Sequence, residues 1–379
     1  MRPDFITPAL KALQERSFLS RGFDVRAVGG CVRDSLLGKT PKDIDLCTDA
    51  TPEEQIALYE ADGVRYFTTG LQHGTITVKL GPELYEITSL RGEKDHDGRH
   101  ATVYYHRDWI ADLGRRDLTI NAMAMTLDGQ LVDPHGGRDD LEAGRVRFVG
   151  EAATRIREDY LRILRFLRFH ARFSSTLALD ETAESAIELL GQGLKGISRE
   201  RVWSEMSRIV TGPRAAVMLH HMMRLKLNYA CDVRHGAWRE VDAVAGTVDA
   251  VATMVAYLID PEDVRDLATA WRWSRMERIR GIFLAEHLHE DVDLFRMVAR
   301  DGIDLAWALD LARLRRDTEA ADKLAAWDIP VFPLKGGDLV SAGHAPGPRI
   351  GQLVDSLRSL WADTGFTMDR EALLEHAKP

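Results

Sequence analysis

The sequence predicts an α+β head over residues 1–148 followed by an all-α remainder, and three observations carry that fold class. Within the head, short β-prone runs (Val25 to Val28, Val64 to Phe67, Gly74 to Leu80, Leu84 to Thr88) alternate with Gly- and Pro-containing turns. Beyond Gly150 the chain is helical by period almost throughout. The third observation is a strand that breaks at Gly29-Gly30 and opens a helix, since Val32, Leu36 and Leu37 recur at helical spacing behind the turn. Changes in texture divide the helical part into residues 149–212, 213–320 and 321–379.

At 379 residues the chain is long enough for two or three domains with substantial cores. No apolar run approaches a membrane span and the N-terminus lacks a signal-peptide core, so a cytoplasmic protein without a membrane partner is expected. Cys31, Cys47 and Cys231 are too few and too far apart for a disulfide framework or a zinc site. The net charge of −9 argues against indiscriminate nucleic-acid binding, and no DNA partner is expected. A local basic groove remains compatible with that charge.

Taken in order, Leu10, Leu13 and Phe18 mark a leading helix. At the Gly29-Gly30 turn, backbone N–H groups can approach an anion closely, and Arg33 in the first turn of the new helix can reach the same anion. A strand is expected next, with Ile44 and Leu46 on one face and Asp43 and Asp45 on the other. Two adjacent carboxylates repel unless a cation lies between them, and Mg²⁺ takes one or two carboxylates plus phosphate oxygens. An anion cradle beside a divalent-metal clamp implies a nucleoside triphosphate. Gly38-Lys39-Thr40 imitates the end of a phosphate-binding P-loop, but the glycine required five residues earlier is Arg33. Thr51-Pro52-Glu53-Glu54 starts a helix with a hydroxyl cap, an early proline and two acids that suit the helix dipole. On the last strand, Glu86 either faces the aspartates, to deprotonate an attacking hydroxyl or hold a second metal, or is a surface residue of a hairpin.

Residues 90–105 are polar, contain Gly92 and Gly98, have no period and are expected to form a loop. His96-Asp97 does not make a metal phosphohydrolase, because no further His and Asp follow at suitable helical spacing. Arg115-Arg116-Asp117 precedes an apolar run and suits a triphosphate clamp, since a guanidinium meets phosphate with two parallel hydrogen bonds.

Arg157 to Phe169 is predicted as one amphipathic helix with Asp159, Arg162, Arg165 and Arg168 three residues apart along a stripe. A solvated ion-pair row gives the same pattern. Against a nucleobase, however, the pair has a definite polarity. Ionised Asp only accepts hydrogen bonds and Arg only donates them. Cytosine and adenine each present an amino donor next to a ring-nitrogen acceptor, and uracil and guanine present the reverse. A buried mismatch costs roughly 1–3 kcal/mol per group, so one Asp–Arg pair can select C and A without a template. Arg145, Arg147, Arg155 and Arg172 extend the stripe into a basic groove.

Gly-Gly-x-Val-Arg-Asp-x-Leu-Leu-Gly at residues 29–38 with Lys42-Asp43-Ile44-Asp45 resembles the signature of polymerase β-like nucleotidyltransferases, worded as in the bacterial and eukaryotic CCA-adding enzymes and bacterial poly(A) polymerases. Arg115-Arg116-Asp117-Leu118-Thr119-Ile120-Asn121-Ala122 and Glu158-Asp159-Tyr160-Leu161-Arg162 are similar to two further motifs of that family, in its order. The resemblance implies a polymerase β-like head, a neck at 149–212 with the base-reading helices, a helical body at 213–320 and a tail at 321–379 that holds the tRNA elbow. It implies Mg²⁺ on Asp43 and Asp45, triphosphate on Gly30, Arg33 and Arg116, the base edge on Asp159 and Arg162, and Arg165 and Arg168 in the nucleotide site. Asp97-Gly98-Arg99-His100 is similar to the family's loop that aids the switch from CTP to ATP, and Ser198 to Arg201 to a segment that buttresses the base-reading helix. The implied activity is addition of CCA to tRNA from CTP and ATP. An A-only or CC-only enzyme, a poly(A) polymerase and a non-catalytic tRNA-binding protein are the alternatives. Thr69-Gly70-Leu71-Gln72-His73-Gly74 is worded unlike the poly(A) polymerases, and the paired aspartates weigh against a binding module.

Overall fold

The computed structural model describes residues 5–94, 102–234 and 236–378. Its chain forms two compact units, Met1–Glu205 with His221–Cys231, and Met206–His220 with Asp232–Pro379. The expected CTP-to-ATP loop motif at 97–100 lies outside the described residues.

The first unit is built on a seven-stranded mixed sheet. Helix α1 (Pro8–Leu13), capped by the Thr7 hydroxyl, leads into β1 (Val25–Val28) and α2 (Gly30–Leu36). There follow β2 (Asp45–Thr48), α3 (Pro52–Asp62), β3 (Arg65–Phe67), β4 (Thr75–Leu80) and β5 (Glu83–Ser89). Strands β8 (Ala124–Thr126) and β9 (Leu131–Val132) complete the sheet in the order β3-β4-β5-β2-β1-β8-β9. Only β2 and β5 run parallel among these pairs, which sets Asp45 opposite Glu86. Helix α3 starts where the sequence places it, on a capping box between Thr51 and Glu54. Val28, Cys47, Leu90, Leu113 and Ala124 form an apolar cluster on the sheet.

Three local expectations need correction. Strand β2 begins at Asp45, and Asp43 lies in the bend before it, so the two carboxylates are not alternate residues of one strand. The stretch expected as a loop contains a two-stranded ribbon, β6 (Arg91–Lys94) with β7 (Thr102–Tyr105), joined before the sheet resumes by α4 (Trp109–Gly114). The helix expected over 157–169 is two helices. After α5 (Gly137–Glu142), α6 (Ala152–Glu158) stops at Asp159, which is extended at φ −156° and ψ 107°, and α7 (Arg162–Phe173) begins three residues later. Helices α8 (Glu181–Leu190) and α9 (Arg199–Val210) pack next in the chain.

The described residues of the second unit contain no strand, as its period predicts. Helix Ala250–Leu258 is buried from Val251 to Leu258. Near the C-terminus a separate core of Leu334, Leu339, Leu357, Trp361 and Leu373 gathers helices Gly336–Ser341, Pro348–Asp363 and Arg370–His376.

Candidate active site

Where β1 ends, Gly29 turns the chain with φ +70° and its N–H donates to the Met123 carbonyl at 2.9 Å. A Cβ there would lie 2.8 Å from Arg116 Nη1, so this glycine lets the arginine lie against bare backbone. The neighbouring Gly30 has no such crowding, since a Cβ there would come no nearer than 3.8 Å, to Arg33 Nη2. Gly29, Gly30, Arg33, Asp43, Asp45, Arg116, Asp159, Arg162, Arg165 and Arg168 all line one open cleft of about 570 Å³. Arg115, Asp117, Asn121 and Phe169 complete its wall.

Asp43 and Asp45 are exposed to this cleft. Desolvation by the surrounding wall raises the Asp45 carboxyl pKa, the Arg116 charge opposes it, and Asp43 pushes the same way as burial. Among the described residues no three His, Cys, Asp or Glu gather as a ligand set. A carboxylate pair without a third protein ligand suits a hard divalent cation that shares its remaining positions with phosphate and water. Glu86 sits beside Asp45 in register on β5 with an exposed side chain, and it does not line the cleft.

The arginines divide into two kinds. Arg33 is 6% exposed. Its guanidinium donates to Asp34 at 3.0 and 2.8 Å and to Asn121 Oδ1 at 2.5 Å, and it lies over Phe173 and Phe169 at 4.6 and 5.2 Å. Burial lowers its pKa against the pull of Asp34. Such a residue ties α2 to α7 and has its polar edge already committed. Arg116 is looser: it faces the Asp112 carboxylate at 3.5 Å, and its Nε is buried with no hydrogen-bond partner among the described residues.

Helix α7 supplies the arginine row. Arg165 Nε donates to Asp117 Oδ2 at 2.6 Å, and Arg168 Nε donates to Glu205 Oε2 at 2.7 Å. Burial alone would lift the Asp117 carboxyl, but the Arg165 charge and hydrogen bond, the Leu118 N–H and the Asn121 amide outweigh it and hold its pKa below the usual range. Arg162 donates to Glu158 at 2.6 Å and to the Arg115 carbonyl at 3.0 Å. Asp159 Oδ1 accepts the Leu161 N–H at 3.1 Å and Oδ2 accepts Arg201 Nη2 at 2.7 Å. The expected basic groove is less free than its composition suggests, because Arg145 and Arg147 both pair with the buried Asp140, and Arg155 with Glu158.

Asp159, Arg162 and Arg115 also border a second cavity of about 780 Å³, lined further by Tyr160, Arg201, Tyr104 and His106. Sequence reasoning did not assign site roles to Asp112, Asp117, Arg201 or Glu205. Asp117 lies in the Arg115-Arg116-Asp117 motif and Arg201 in the buttressing segment, but their partners lie 48 and 42 residues away and no local spacing reveals them.

Residues 25–147 match the family model described as "Poly A polymerase head domain", and residues 176–229 match "Probable RNA and SrmB- binding site of polymerase A". The chain is 36% identical over 377 residues to CCA tRNA nucleotidyltransferase 1, mitochondrial, of Danio rerio, covering 94% of this chain and 88% of that one. It is 32% identical to the CCA-adding enzyme of Lactobacillus helveticus over 385 residues, covering 94% and 93%. The Bacillus stearothermophilus CCA-adding enzyme, solved in complex with CTP, superposes with a TM-score of 0.76 at 25% identity, covering 98% and 97% of the two chains. The head is therefore that of a polymerase β-like nucleotidyltransferase, carried on a helical remainder. Within that class the chain belongs to the family of CCA-adding enzymes, the CCA tRNA nucleotidyltransferases.

Proposed function

We propose that this enzyme adds C, C and A to the 3′ end of tRNA from CTP and ATP, releasing pyrophosphate, without a nucleic-acid template. The observation that carries the reading is that the carboxylate pair Asp43 and Asp45 and the polar pair Asp159 and Arg162 line the same cleft. One pair supports phosphoryl chemistry and the other supports recognition of a base edge.

Asp43 and Asp45 would hold the divalent cation, which we take to be Mg²⁺. When bound, that ion supplies Lewis-acid polarisation of the reacting phosphate and lowers the pKa of the attacking hydroxyl. Arg116, backed against Gly29, is placed to take the triphosphate, and the Gly29-Gly30 backbone lies against the same space. Asp159 accepts from the amino group of C or A while Arg162 donates to the adjacent ring nitrogen, and U or G would set donor against donor and acceptor against acceptor. Arg165 and Arg168 add positive charge to the wall of the nucleotide site. Arg33 serves it from behind, by fixing α2 to α7. Glu86, next to Asp45 in register, is our candidate for the group that accepts the hydroxyl proton.

The domain limits of 148, 212 and 320, with a tail that contacts tRNA, remain part of this proposal. So does a cytoplasmic location, which the three buried, unbridged cysteines support. No described helix is long and apolar enough to cross a membrane.

Purified protein, Mg²⁺ and labelled tRNA ending at the discriminator base, incubated with each triphosphate singly and together, test the reading. Extension by CC with CTP alone, and by CCA with CTP and ATP, is the expected result. Arrest at CC with both triphosphates, a requirement for pre-added CC, or a long A tail would replace it with the CC-adding, A-adding or poly(A) activity respectively. No incorporation would favour a tRNA-binding protein.

A further inference from the structure

Helix α4 carries a carboxylate that the nucleotidyl-transfer chemistry does not itself use. Asp112 is 1% exposed. Its Oδ1 accepts Arg115 Nε at 2.8 Å and, at 3.4 Å, the backbone N–H of Arg91, the first residue of the β6–β7 ribbon. Its Oδ2 is buried, has no hydrogen-bond partner among the described residues, and lies 3.5 Å from Arg116 Nη2. Arg116 has the complementary deficiency, a buried Nε without a partner among the described residues. A buried acceptor and a buried donor are thus left without partners on two residues that face each other, although such groups in folded proteins are nearly always satisfied.

The helix that presents Asp112 is fixed at its far end. Its last carbonyls, orphaned by helix geometry, are capped by cations: Gly114 O accepts Arg155 Nη1 and Arg115 O accepts Arg162 Nη2, each at 3.0 Å. The carbonyl next to Arg116 therefore holds the arginine assigned to the base edge.

We infer that Asp112 is a positioning residue for the triphosphate arginine, a fixed anion behind Arg116 that orients its guanidinium toward the cleft. A guanidinium has two usable edges. With one edge set against a buried carboxylate, the other is pre-organised for phosphate, and little rotamer freedom is left to lose on binding. Because Asp112 also receives the Arg91 N–H, the stem of the ribbon is tied to the same anion. Asp112 touches no reacting atom, and its influence runs through Arg116.

This inference rests on the proposed triphosphate role of Arg116, and a mutant cycle separates the two. The measurements are KM for CTP and ATP with tRNA, and direct binding of inorganic triphosphate followed by tryptophan fluorescence, in Asp112→Asn, Arg116→Gln and the double variant. Loss of the phosphate contact, or of the anion that orients it, should raise KM for CTP about tenfold in each single variant. The double variant, which removes both ends of the Asp112–Arg116 pair, should also show about tenfold rather than about a hundredfold, with kcat changed much less. Inorganic triphosphate should weaken in parallel, and Asp112→Glu, which keeps the charge, should recover part of the loss. Additive effects in the cycle, or Asp112→Asn with a lowered melting temperature but wild-type KM, would overturn the inference. If Arg116→Gln itself leaves CTP and triphosphate binding unchanged, the role of Arg116 fails instead.

Discussion

Asp45 is held against the interest of the fold. Its pKa is raised above the unfolded value of 3.8 by partial desolvation against the cleft wall and by the Asp43 charge, so the folded chain binds this proton more readily than the unfolded chain. Stability therefore falls as pH rises through the window between the two values, and the full penalty is present at neutral pH. Asp45→Asn should raise the melting temperature of the metal-free protein at pH 7, while CMP incorporation falls on the order of 10³-fold. Asp117 has the opposite sign. Its depressed pKa contributes stability that is present above the unfolded value and lost as pH falls through the folded one. Melting curves from pH 3 to 8 on wild type, Asp45→Asn and Asp117→Asn check both signs, since only Asp117→Asn should flatten the acid limb. At Gly29 the expected effect is steric. Gly29→Ala places a Cβ 2.8 Å from Arg116 Nη1 at φ +70°, and should destabilise by about 1–2 kcal/mol while raising KM for CTP. Chemical denaturation and steady-state kinetics read the two parts.

Between elements, the site depends on ion pairs that join separate stretches of the first unit. Arg165 of α7 and Asp117, before the short turn at Thr119–Asn121, form a pair whose carboxylate is 7% exposed. Removing one partner strands a buried charge, so Arg165→Met should cost about 3 kcal/mol in urea unfolding, and Asp117→Asn in that background should restore part of it. Arg201 of α9 holds the Asp159 carboxylate at the break between α6 and α7. Arg201→Met should relax base choice by roughly tenfold, read as the ratio of CTP to UTP incorporation, with melting temperature little changed. These pairs also mark the limit of sequence reading. The cap of α3 was legible because all its determinants lie within Thr51 to Glu54. The break at Asp159 was not, because Glu158 to Arg162 are all compatible with a continuous helix and the residue that engages Asp159 comes from α9. The β6–β7 ribbon escaped notice because its two strands pair only with each other and show no apolar alternation. Asp43 and Asp45, in contrast, were recognisable from adjacency alone, although the bend before β2 was not.

At the scale of the whole molecule, a net charge of −9 coexists with a cleft walled by six arginines. Composition hid that asymmetry, and the repeat of Arg162, Arg165 and Arg168, with Arg33 at the Gly-Gly turn and the Arg115-Arg116 pair, exposed it. A polyanion held by such a local groove, on a chain of the same overall sign, should bind in a salt-dependent way set by the cleft's own phosphate contacts. Raising monovalent salt from 50 to 200 mM should lift KM for tRNA by about tenfold or more, following the loss of counterion release. KM for CTP should move less, since a single triphosphate displaces few counterions. A titration of initial rates at saturating levels of the other substrate separates the two. The overall class was readable for a different reason: the switch from short strands to helical period near Gly150 is a property of long stretches and survives errors in any one element.

All three cysteines are buried, and all lie in the first unit. Burial pushes the Cys31 and Cys47 thiols up to about 11 and about 12, so neither is a nucleophile at neutral pH while the head is closed. Alkylation rates are therefore a clock for opening of the catalytic unit, in which the rest of the chain is silent. Cys47 lies beside Arg116 and Cys31 beside the Asp45 carbonyl. Pulsed alkylation with and without nucleotide, read by mass, would time the breathing of the two walls of the cleft separately and without any introduced label.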